Sequence, residues 1–329
     1  MPDHPRGPLG STSAHLYVIS LPQRQDRRQQ MEHLRAIQGL TWTVVDAVPA
    51  NASSVNRILD WVAVERAQRA EHTKTGSANS TFRWPPEIDA FAVAQAPLTP
   101  LGSDSWVQTV PPSAKLNLKS SKSQPASSTT RPNLTCATED HSTPALTNST
   151  PEWMRLSPAK IACWHSHVSA VHHFVDRADA QMDDVAFILE DDIDMEKDIA
   201  ARLSDIWGVL PPGWDTVFLG HCWSNESFYP ALASLTYTNL YPSFAPKCTH
   251  AYALSLPGAR RLLQHLRYPP FAYSRALDQA YAWLIQTGRL RSYSVVPSVV
   301  VQRKTVSSDI LPGMGSEWRE NLQDGVFGS

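Results

Sequence analysis

The sequence of 329 residues has little that would mark a membrane protein or a nucleic-acid-binding protein. No apolar run approaches the roughly 18 residues of a membrane span, and the N-terminus lacks the apolar core of a secretory signal. The 29 basic and 31 acidic residues nearly cancel, so no nucleic-acid partner is expected. As written, the chain is expected to be soluble, without a transmembrane segment.

Two nucleotide-binding motifs are also missing. No Gly-x-Gly-x-x-Gly follows the first predicted strand, and no phosphate loop ending in Gly-Lys-Ser/Thr occurs. Dinucleotide oxidoreductases and P-loop nucleotidases are therefore disfavoured. The four cysteines are too few for a disulfide scaffold and do not have zinc-knuckle spacing.

The compartment is left open by the sequence. Five asparagines lie in glycosylation sequons, which matter only if the chain enters a secretory lumen. They are Asn51, Asn79, Asn133, Asn148 and Asn225. The sequons suggest the ER or Golgi lumen, whereas no signal peptide or anchor is seen.

The stretch of residues 185–194 is the most informative. Five apolar residues run without alternation into Glu190, Asp191 and Asp192, a pattern typical of a parallel strand buried on both faces. Ligands bind at the carboxyl ends of such strands, and adjacent carboxylates are costly to bury unless a cation or hydrogen-bond donors compensate them. Oxygen ligands favour magnesium or manganese over zinc. The alternative is a solvated acidic turn before a helix near residues 196–203.

The first fifty residues predict a βαβ unit. A buried strand at 15–21 leads through a basic turn into a helix that ends at Gly39, and a second strand at 41–45 leads to Asp46. The turn contains Arg24, Asp26, Arg27 and Arg28. Arginines at the ligand-facing end of a strand could bind phosphate. The alternative is a solvated first helical turn.

Residues 51–69 predict a helix, after which the composition changes. Residues 71–151 are dominated by Ser, Thr, Pro and Ala, which bury too little apolar surface to offset the entropy of ordering. We therefore expect a long, largely disordered insertion in which only single aromatic residues dock. The candidates are Phe82, Trp84, Phe91 and Trp106. Deleting residues 99–149 should then cost little stability, because loop length enters only logarithmically.

A histidine-rich helix is predicted at residues 160–175. Its apolar arc includes His167, whereas His173 points away. Two histidines spaced His-x-His on a helix lie on different faces, so a histidine metal site is disfavoured. A buried, hydrogen-bonded His167 that supports the acidic strand is the preferred interpretation.

The second half of the chain predicts three more strands, at residues 214–220, 249–255 and 293–301, with helices at 259–266 and from Arg275 onwards. Cys222 and Cys248 bracket an aromatic loop between the first two strands, which we expect to be neighbours. In an oxidising lumen these cysteines should form a disulfide worth about 3 kcal/mol, and in the cytosol both should remain thiols.

Seven groups of residues occur in the order found in family-25 glycosyltransferases, which include lipooligosaccharide and procollagen galactosyltransferases. They are Tyr17 to Pro22 with Asp26-Arg27-Arg28, Ser166-His167, Leu189 to Asp192, Trp214-Asp215 with Leu219-Gly220, Ala251-Tyr252 with Gly258-Ala259, Leu277-Asp278, and Pro297 to Gln302 with Ser308-Asp309. The chain resembles this family over residues 15–50 and 155–310. It departs from the family pattern at Ala162 and His165, and in the long insertion.

The resemblance implies an α/β fold with a GT-A-type, Rossmann-like nucleotide-sugar-binding sheet flanked by helices. Composition and the predicted elements divide the chain into a disordered segment 1–14, one domain at 15–310 interrupted at about 71–151, and a loose tail at 311–329. The implied cofactor is Mn²⁺ or Mg²⁺, and the implied partners are a nucleotide-sugar donor and a hydroxyl acceptor on a glycan, lipid or protein.

The resemblance also assigns roles to single residues. Asp192 and Glu190 would hold the metal, and the donor would be bound by Arg24, Asp26, Arg27, Asp46, Glu190 and Asp191. His167 and Gln302 would support the site. Asp278, on the acceptor side, is the candidate for the carboxylate that takes the acceptor's proton in an inverting transfer; the alternative is a helix cap.

The expected function is transfer of a sugar, galactose by resemblance, from a nucleotide-diphosphate sugar. A divalent cation would stabilise the charge that develops on the departing diphosphate. Two alternatives come from other classes: a catalytically silent member acting in adhesion or as a partner protein, and a metal-dependent hydrolase using the histidines and Asp192.

Overall fold

A computed structural model of the chain describes residues 13–74, 84–94, 97–111, 133–139, 141–304, 308–310 and 320–328. Phe82 and nearly all of segment 1–14 lie outside these residues. The strands are β1 (Ala14–Ser20), β2 (Thr43–Asp46), β3 (Val185–Glu190), β4 (Ile193–Met195), β5 (Thr216–Phe218), β6 (Ala233–Ser234), β7 (Asn239–Pro242), β8 (Ala251–Ser255), β9 (Ser292–Val296) and β10 (Val300–Gln302). The α-helices are α1 (Gln25–Gln38), α2 (Ser53–Lys74), α3 (Ile88–Val93), α4 (Pro158–Val175), α5 (Ile199–Trp207), α6 (Leu256–Leu266) and α7 (Leu277–Gln286).

One large sheet organises these elements, with the strand order β2-β1-β3-β8-β5-β9-β7-β6. β1 pairs in parallel with β2 and β3, and β5 pairs in parallel with β9. β8 runs antiparallel to both β3 and β5, and β7 runs antiparallel to β9. This mixed α/β architecture, with a mostly parallel central sheet flanked by helices, agrees with the predicted Rossmann-like class. The predicted βαβ unit is confirmed.

Strand β3 is buried on both faces, as its unbroken apolar run predicts. Phe187 and Leu189 belong to one core cluster, and Ala186 and Ile188 belong to the other. The first cluster includes residues of α1 and α5, while the second includes residues of α4, α6 and α7. Successive side chains of a strand point to opposite faces, so β3 contributes to both core clusters. Its acidic residues lie at the carboxyl end of the strand, between the two clusters.

Two predicted elements have different bounds in the structure. The single strand predicted at 293–301 is interrupted at Pro297, because proline has no N–H to donate to a sheet. The chain then leaves the large sheet, and β10 pairs antiparallel with β4 in a separate two-stranded ribbon. Since Ile193–Met195 form that ribbon, the helix predicted near residues 196–203 begins only at Ile199.

The prediction of a largely disordered insertion is wrong for the residues that the structure describes. Trp106, in a short 3-10 helix at Gly102–Val107, is 3% exposed. Its ring is stacked on Trp61 of α2 at a centroid distance of 6.0 Å. Asp104, on the same short helix, forms a salt bridge with Arg267. A few large side chains therefore anchor a segment whose average composition is polar.

The second half of the insertion is also held by the core. Cys136 donates its backbone N–H to the carbonyl of Met154 at 2.7 Å, and Ala137 donates to Ser274 at 2.8 Å. Both side chains are buried. We call residues 84–94, 97–111, 133–139 and 141–151 the inserted wall. Because the inserted wall contributes to the core, the expectation that deleting residues 99–149 costs little stability no longer holds.

The prediction of a loose tail is wrong for residues 320–328. The backbone N–H groups of Gln323 and Asp324 donate to the carboxylate of Glu196 at 2.8 and 2.9 Å. That of Phe327 donates to the carboxylate of Asp194 at 3.2 and 3.1 Å. Glu196 and Asp194 are buried carboxylates, so residues 323–327 supply hydrogen bonds that their burial requires.

The aromatic loop between β5 and β8 is closed by a disulfide. The structure joins Cys222 to Cys248, with their Cα atoms 5.7 Å apart, which agrees with the predicted pairing. The two strands are direct neighbours in the sheet, as expected. No helix of the described residues is long and apolar enough to cross a lipid bilayer.

Candidate active site

Asp191, the middle one of the three consecutive carboxylates, is held by two donors. Its Oδ1 accepts a hydrogen bond from Arg27 Nη1 at 2.9 Å, and its Oδ2 accepts one from Ser20 Oγ at 2.7 Å. Ser20 ends β1, and Arg27 lies in the first turns of the helix that follows. The parallel register that places Ile19 beside Glu190 therefore brings the basic turn onto the acidic strand end.

Asp192 is compensated less completely. Arg27 Nη1 lies 3.1 Å from its Oδ2, and Gln302 Nε2 lies 3.3 and 3.2 Å from its two oxygens. Burial, followed by the charge of Glu190, raises the pKa of Asp192 to about 7. A cation placed against Asp192 would therefore stabilise a charge that the protein leaves only partly balanced.

Glu190 is held by two donors from neighbouring elements. Thr249 Oγ1 donates to its Oε1 at 3.0 Å, and His167 Nε2 lies 3.3 Å from the same oxygen. Burial alone would raise the pKa of Glu190, but the combined effects of His167, His250 and Thr249 outweigh burial, and the pKa is lowered. The other ring nitrogen of His167 lies 3.0 Å from the hydroxyl of Tyr252. His167 is thus buried and hydrogen-bonded against the acidic strand end, as predicted, whereas His173 is exposed.

Cys163 lies one helical turn before His167 and joins the same group. Its sulfur, a ring nitrogen of His167 and a carboxylate oxygen of Glu190 lie within 4.8 Å of one another. Burial raises the pKa of the Cys163 thiol well above its usual range. A set of sulfur, nitrogen and oxygen ligands is typical of zinc rather than of manganese or magnesium. The spacing of the histidines or of the cysteines alone does not reveal this group, because its three members come from two different elements of the fold.

Two clefts meet at the acidic strand end. The first, of about 210 Å³, extends towards the start of α7, and the second, of about 110 Å³, extends towards the ends of β1 and β2. Both are lined by Arg27, Glu190 and Asp192. The structure therefore brings the predicted residues Arg27, Glu190, Asp191, Asp192, His167 and Gln302 together.

Three predicted donor-side residues lie apart from the walls of these clefts. Arg24 forms hydrogen bonds of 3.0 Å with both carboxylate oxygens of Asp26, and these bonds lower the pKa of Asp26 to about 2. Arg24 also forms a salt bridge with Asp309. Asp46 accepts a hydrogen bond from Arg28 at 2.6 Å and is largely exposed. Arg24, Asp26 and Asp46 are therefore engaged in ion pairs near the basic turn.

Asp278 lines the first cleft. It lies in the first turn of α7, whose N-cap residue is Ala276. Its Oδ1 accepts a hydrogen bond from the N–H of Gln279 at 2.8 Å, and its Oδ2 accepts one from the N–H of Cys248 at 3.3 Å. Asp278 is therefore not the N-cap residue, and its carboxylate is held at the wall of the cleft.

Sequence reasoning missed several residues of the site. Asp309 lines the second cleft and pairs with Arg24 and Arg27, and Thr249 and Tyr252 hold Glu190 and His167. Asp309 could have been found as the one acidic residue of the motif that follows β10. Thr249 carried no signal, and Tyr252 lies in one of the motifs without an assigned role, because the part each plays depends on the antiparallel pairing of β8 with β3.

Comparison with known proteins gives no assignment. No protein-family model matches the chain, and no curated protein matches it. The resemblance to family-25 glycosyltransferases therefore depends on the motifs alone.

Proposed function

We propose that this chain is a metal-dependent glycosyltransferase that transfers a sugar from a nucleotide-diphosphate sugar to a hydroxyl acceptor. The observation that carries the proposal is the meeting of two clefts at Asp192. A transferase must bring a donor and an acceptor to one reacting centre, whereas a simple binding protein needs one cleft. A GT-A-type sheet and galactose as the donor sugar are the finer parts of this proposal, and both come from the resemblance.

The second cleft is the proposed donor site. Arg27 lies against both Asp191 and Asp192, and its guanidinium is a planar donor suited to phosphate oxygens. Arg24 and Asp26 flank Arg27 in the basic turn and would bind the donor after their present ion pair rearranges. Asp46, Glu190 and Asp191 complete the proposed donor-binding set at the ends of β2 and β3, the two parallel strands on either side of β1.

A divalent cation, manganese or magnesium, would be held by Asp192 with Glu190. Asp192 fits this role because it is half-buried at the meeting of the two clefts and only partly compensated. The contacts of Glu190 with Thr249 and His167 both involve Oε1, so Oε2 is the oxygen that would ligate. When bound, the metal would stabilise negative charge on the departing diphosphate. Gln302 would orient Asp192, and His167 would orient Glu190.

Asp278 is the proposed catalytic base. It lines the first cleft, where an acceptor hydroxyl would approach the sugar from the side opposite the diphosphate. A carboxylate that accepts the hydroxyl proton during attack supports an inverting transfer. The two backbone N–H groups that bind Asp278 would fix the direction of its oxygens.

A donor screen tests the proposal. Purified protein is incubated with a panel of sugar nucleotides and manganese, with and without glycan, lipid and peptide acceptors, and released nucleotide and free sugar are measured. We expect nucleotide release from at least one donor that rises with an acceptor and stops with chelator. Release of free sugar that no acceptor increases would favour a hydrolase. Absence of sugar-nucleotide binding would favour a catalytically silent protein acting in adhesion or as a partner.

A further inference from the structure

A third cleft, of about 590 Å³, opens beside the first one. It is bordered on one side by Ala137, Thr138 and Ser142 of the inserted wall, and on the other side by Arg275 and residues of α7. Trp153 and Gln279 line both this cleft and the first one. The third cleft therefore adjoins the proposed transfer site on the acceptor side, and its size is that of a small-molecule site.

Trp153 stands at the junction of the two clefts and is 64% exposed. Its backbone is nonetheless firmly held. The ammonium group of the buried Lys160 donates to the carbonyls of Trp153 at 2.8 Å, Arg155 at 2.6 Å and Glu152 at 3.2 Å. An exposed indole on a fixed backbone offers a rigid aromatic surface, with low entropic cost of binding.

Polar groups line the third cleft beside the apolar side chains of Met154, Ala282 and Trp283. Lys247 Nζ donates to Gln279 Oε1 at 2.9 Å, so the amide of Gln279 is fixed at the junction. Arg275 Nη1 donates to the carbonyl of Thr138 at 3.1 Å. Fixed amides, hydroxyls and a guanidinium beside an aromatic ring suit a ligand that has apolar C–H faces and many hydroxyl groups.

We infer that the third cleft binds a carbohydrate acceptor chain, with one sugar ring stacked on Trp153 and further sugars lying between α7 and the inserted wall. This inference rests on the proposed function, since it places the reacting sugar beside Asp278 in the first cleft. A peptide fits the surroundings less well, because extended peptides gain affinity by pairing with a sheet edge, and this cleft is bordered by a helix and loops.

The test uses printed arrays of glycans and of synthetic peptides, probed with the full chain. The variants are Trp153→Ala, Trp153→Tyr, and Tyr237→Ala as a control, since Tyr237 is a similarly exposed aromatic residue outside the three clefts. We expect the wild type to bind glycans of two or more sugars. Trp153→Ala should weaken that binding tenfold or more, Trp153→Tyr should retain most of it, and Tyr237→Ala should match the wild type.

A second readout separates this inference from the transferase proposal. Nucleotide release from the donor found in the screen, measured without an acceptor, should be the same in Tyr237→Ala as in the wild type, because Tyr237 lines none of the three clefts. A chain that binds glycans through Trp153 but turns over no nucleotide sugar supports the glycan site and contradicts the transferase proposal alone. A glycan array without signal, glycan binding unaffected by Trp153→Ala, or binding of peptides only would overturn the inference.

Discussion

At the carboxyl end of β3, three adjacent carboxylates crowd together and Asp192 remains only partly compensated. In the inserted wall, by contrast, Trp106 is stacked on Trp61 and Asp104 is paired with Arg267. The first arrangement is electrostatically costly and offers a cleft, whereas the second is well packed. We infer that the acidic strand end is maintained for chemistry at the expense of stability, while the inserted wall helps to stabilise the fold around it.

The largest effect should come from removing most of the inserted wall. Replacing residues 99–149 by a short Gly–Ser linker removes Trp106 and Cys136 from the core and should abolish the cooperative thermal transition, because whole domains are stable by only about 5 to 15 kcal/mol. The matched control replaces residues 112–132 alone, which lie outside the described residues, by a Gly–Ser linker of the same length. That replacement should change the melting temperature little, because it leaves Trp106 and Cys136 in the core. Equal melting curves for the two replacements would contradict the comparison.

A single substitution tests the same packing. Trp106→Ala should lower the free energy of unfolding by about 3 to 5 kcal/mol, as large-to-small changes of buried aromatic residues do. The control is Val110→Ala, because Val110 lies nearby in sequence and is 76% exposed. Denaturant unfolding should separate the two variants clearly. A Trp106→Ala variant as stable as the control would show that the ring contributes no packing energy.

These packing contacts mark the limit of what the sequence could predict. The β3 strand end was predictable, because an unbroken apolar run followed by carboxylates has few structural interpretations, and a βαβ unit fixes where the Arg27 turn lies. The inserted wall was not predictable from its average composition, since its order depends on single residues such as Trp106. The contacts of Gln323, Asp324 and Phe327 with Glu196 and Asp194 are made by backbone N–H groups, which leave no sequence signal.

The inserted wall should also introduce a sensitivity to acid. The ring of Trp84 lies 4.3 Å from that of His265, and burial lowers the pKa of His265 from 6.5 to about 4. The unfolded chain therefore takes up this proton first as the pH falls, so stability is full above pH 6.5 and is lost progressively towards pH 4. The expected loss is roughly 3 kcal/mol. Between pH 7 and 4.5, the free energy of unfolding of His265→Leu should fall less than that of the wild type. The control His173→Gln changes an exposed histidine, so its free energy of unfolding should fall by as much as that of the wild type.

The smallest effect on stability should come from a substitution at the acidic strand end, and that substitution should stabilise the protein rather than destabilise it. Asp192→Asn removes one charge from a group of three carboxylates and keeps the shape of the side chain. Its free energy of unfolding should equal that of the wild type or exceed it by up to about 1 kcal/mol. Thermal unfolding without added metal measures this. A destabilisation as large as that of Trp106→Ala would mean that Asp192 has a structural role.

The most direct test of the central claim is the rate of sugar transfer by the wild type and by Asp192→Asn, measured with the donor found in the screen. Chelator should abolish wild-type transfer, and added manganese should restore it. Asp192→Asn should lower turnover by roughly a hundredfold or more, because one electrostatic contact in the transition state is worth about 3 to 4 kcal/mol. Undiminished transfer by the chelated wild type, or by Asp192→Asn, would contradict the account.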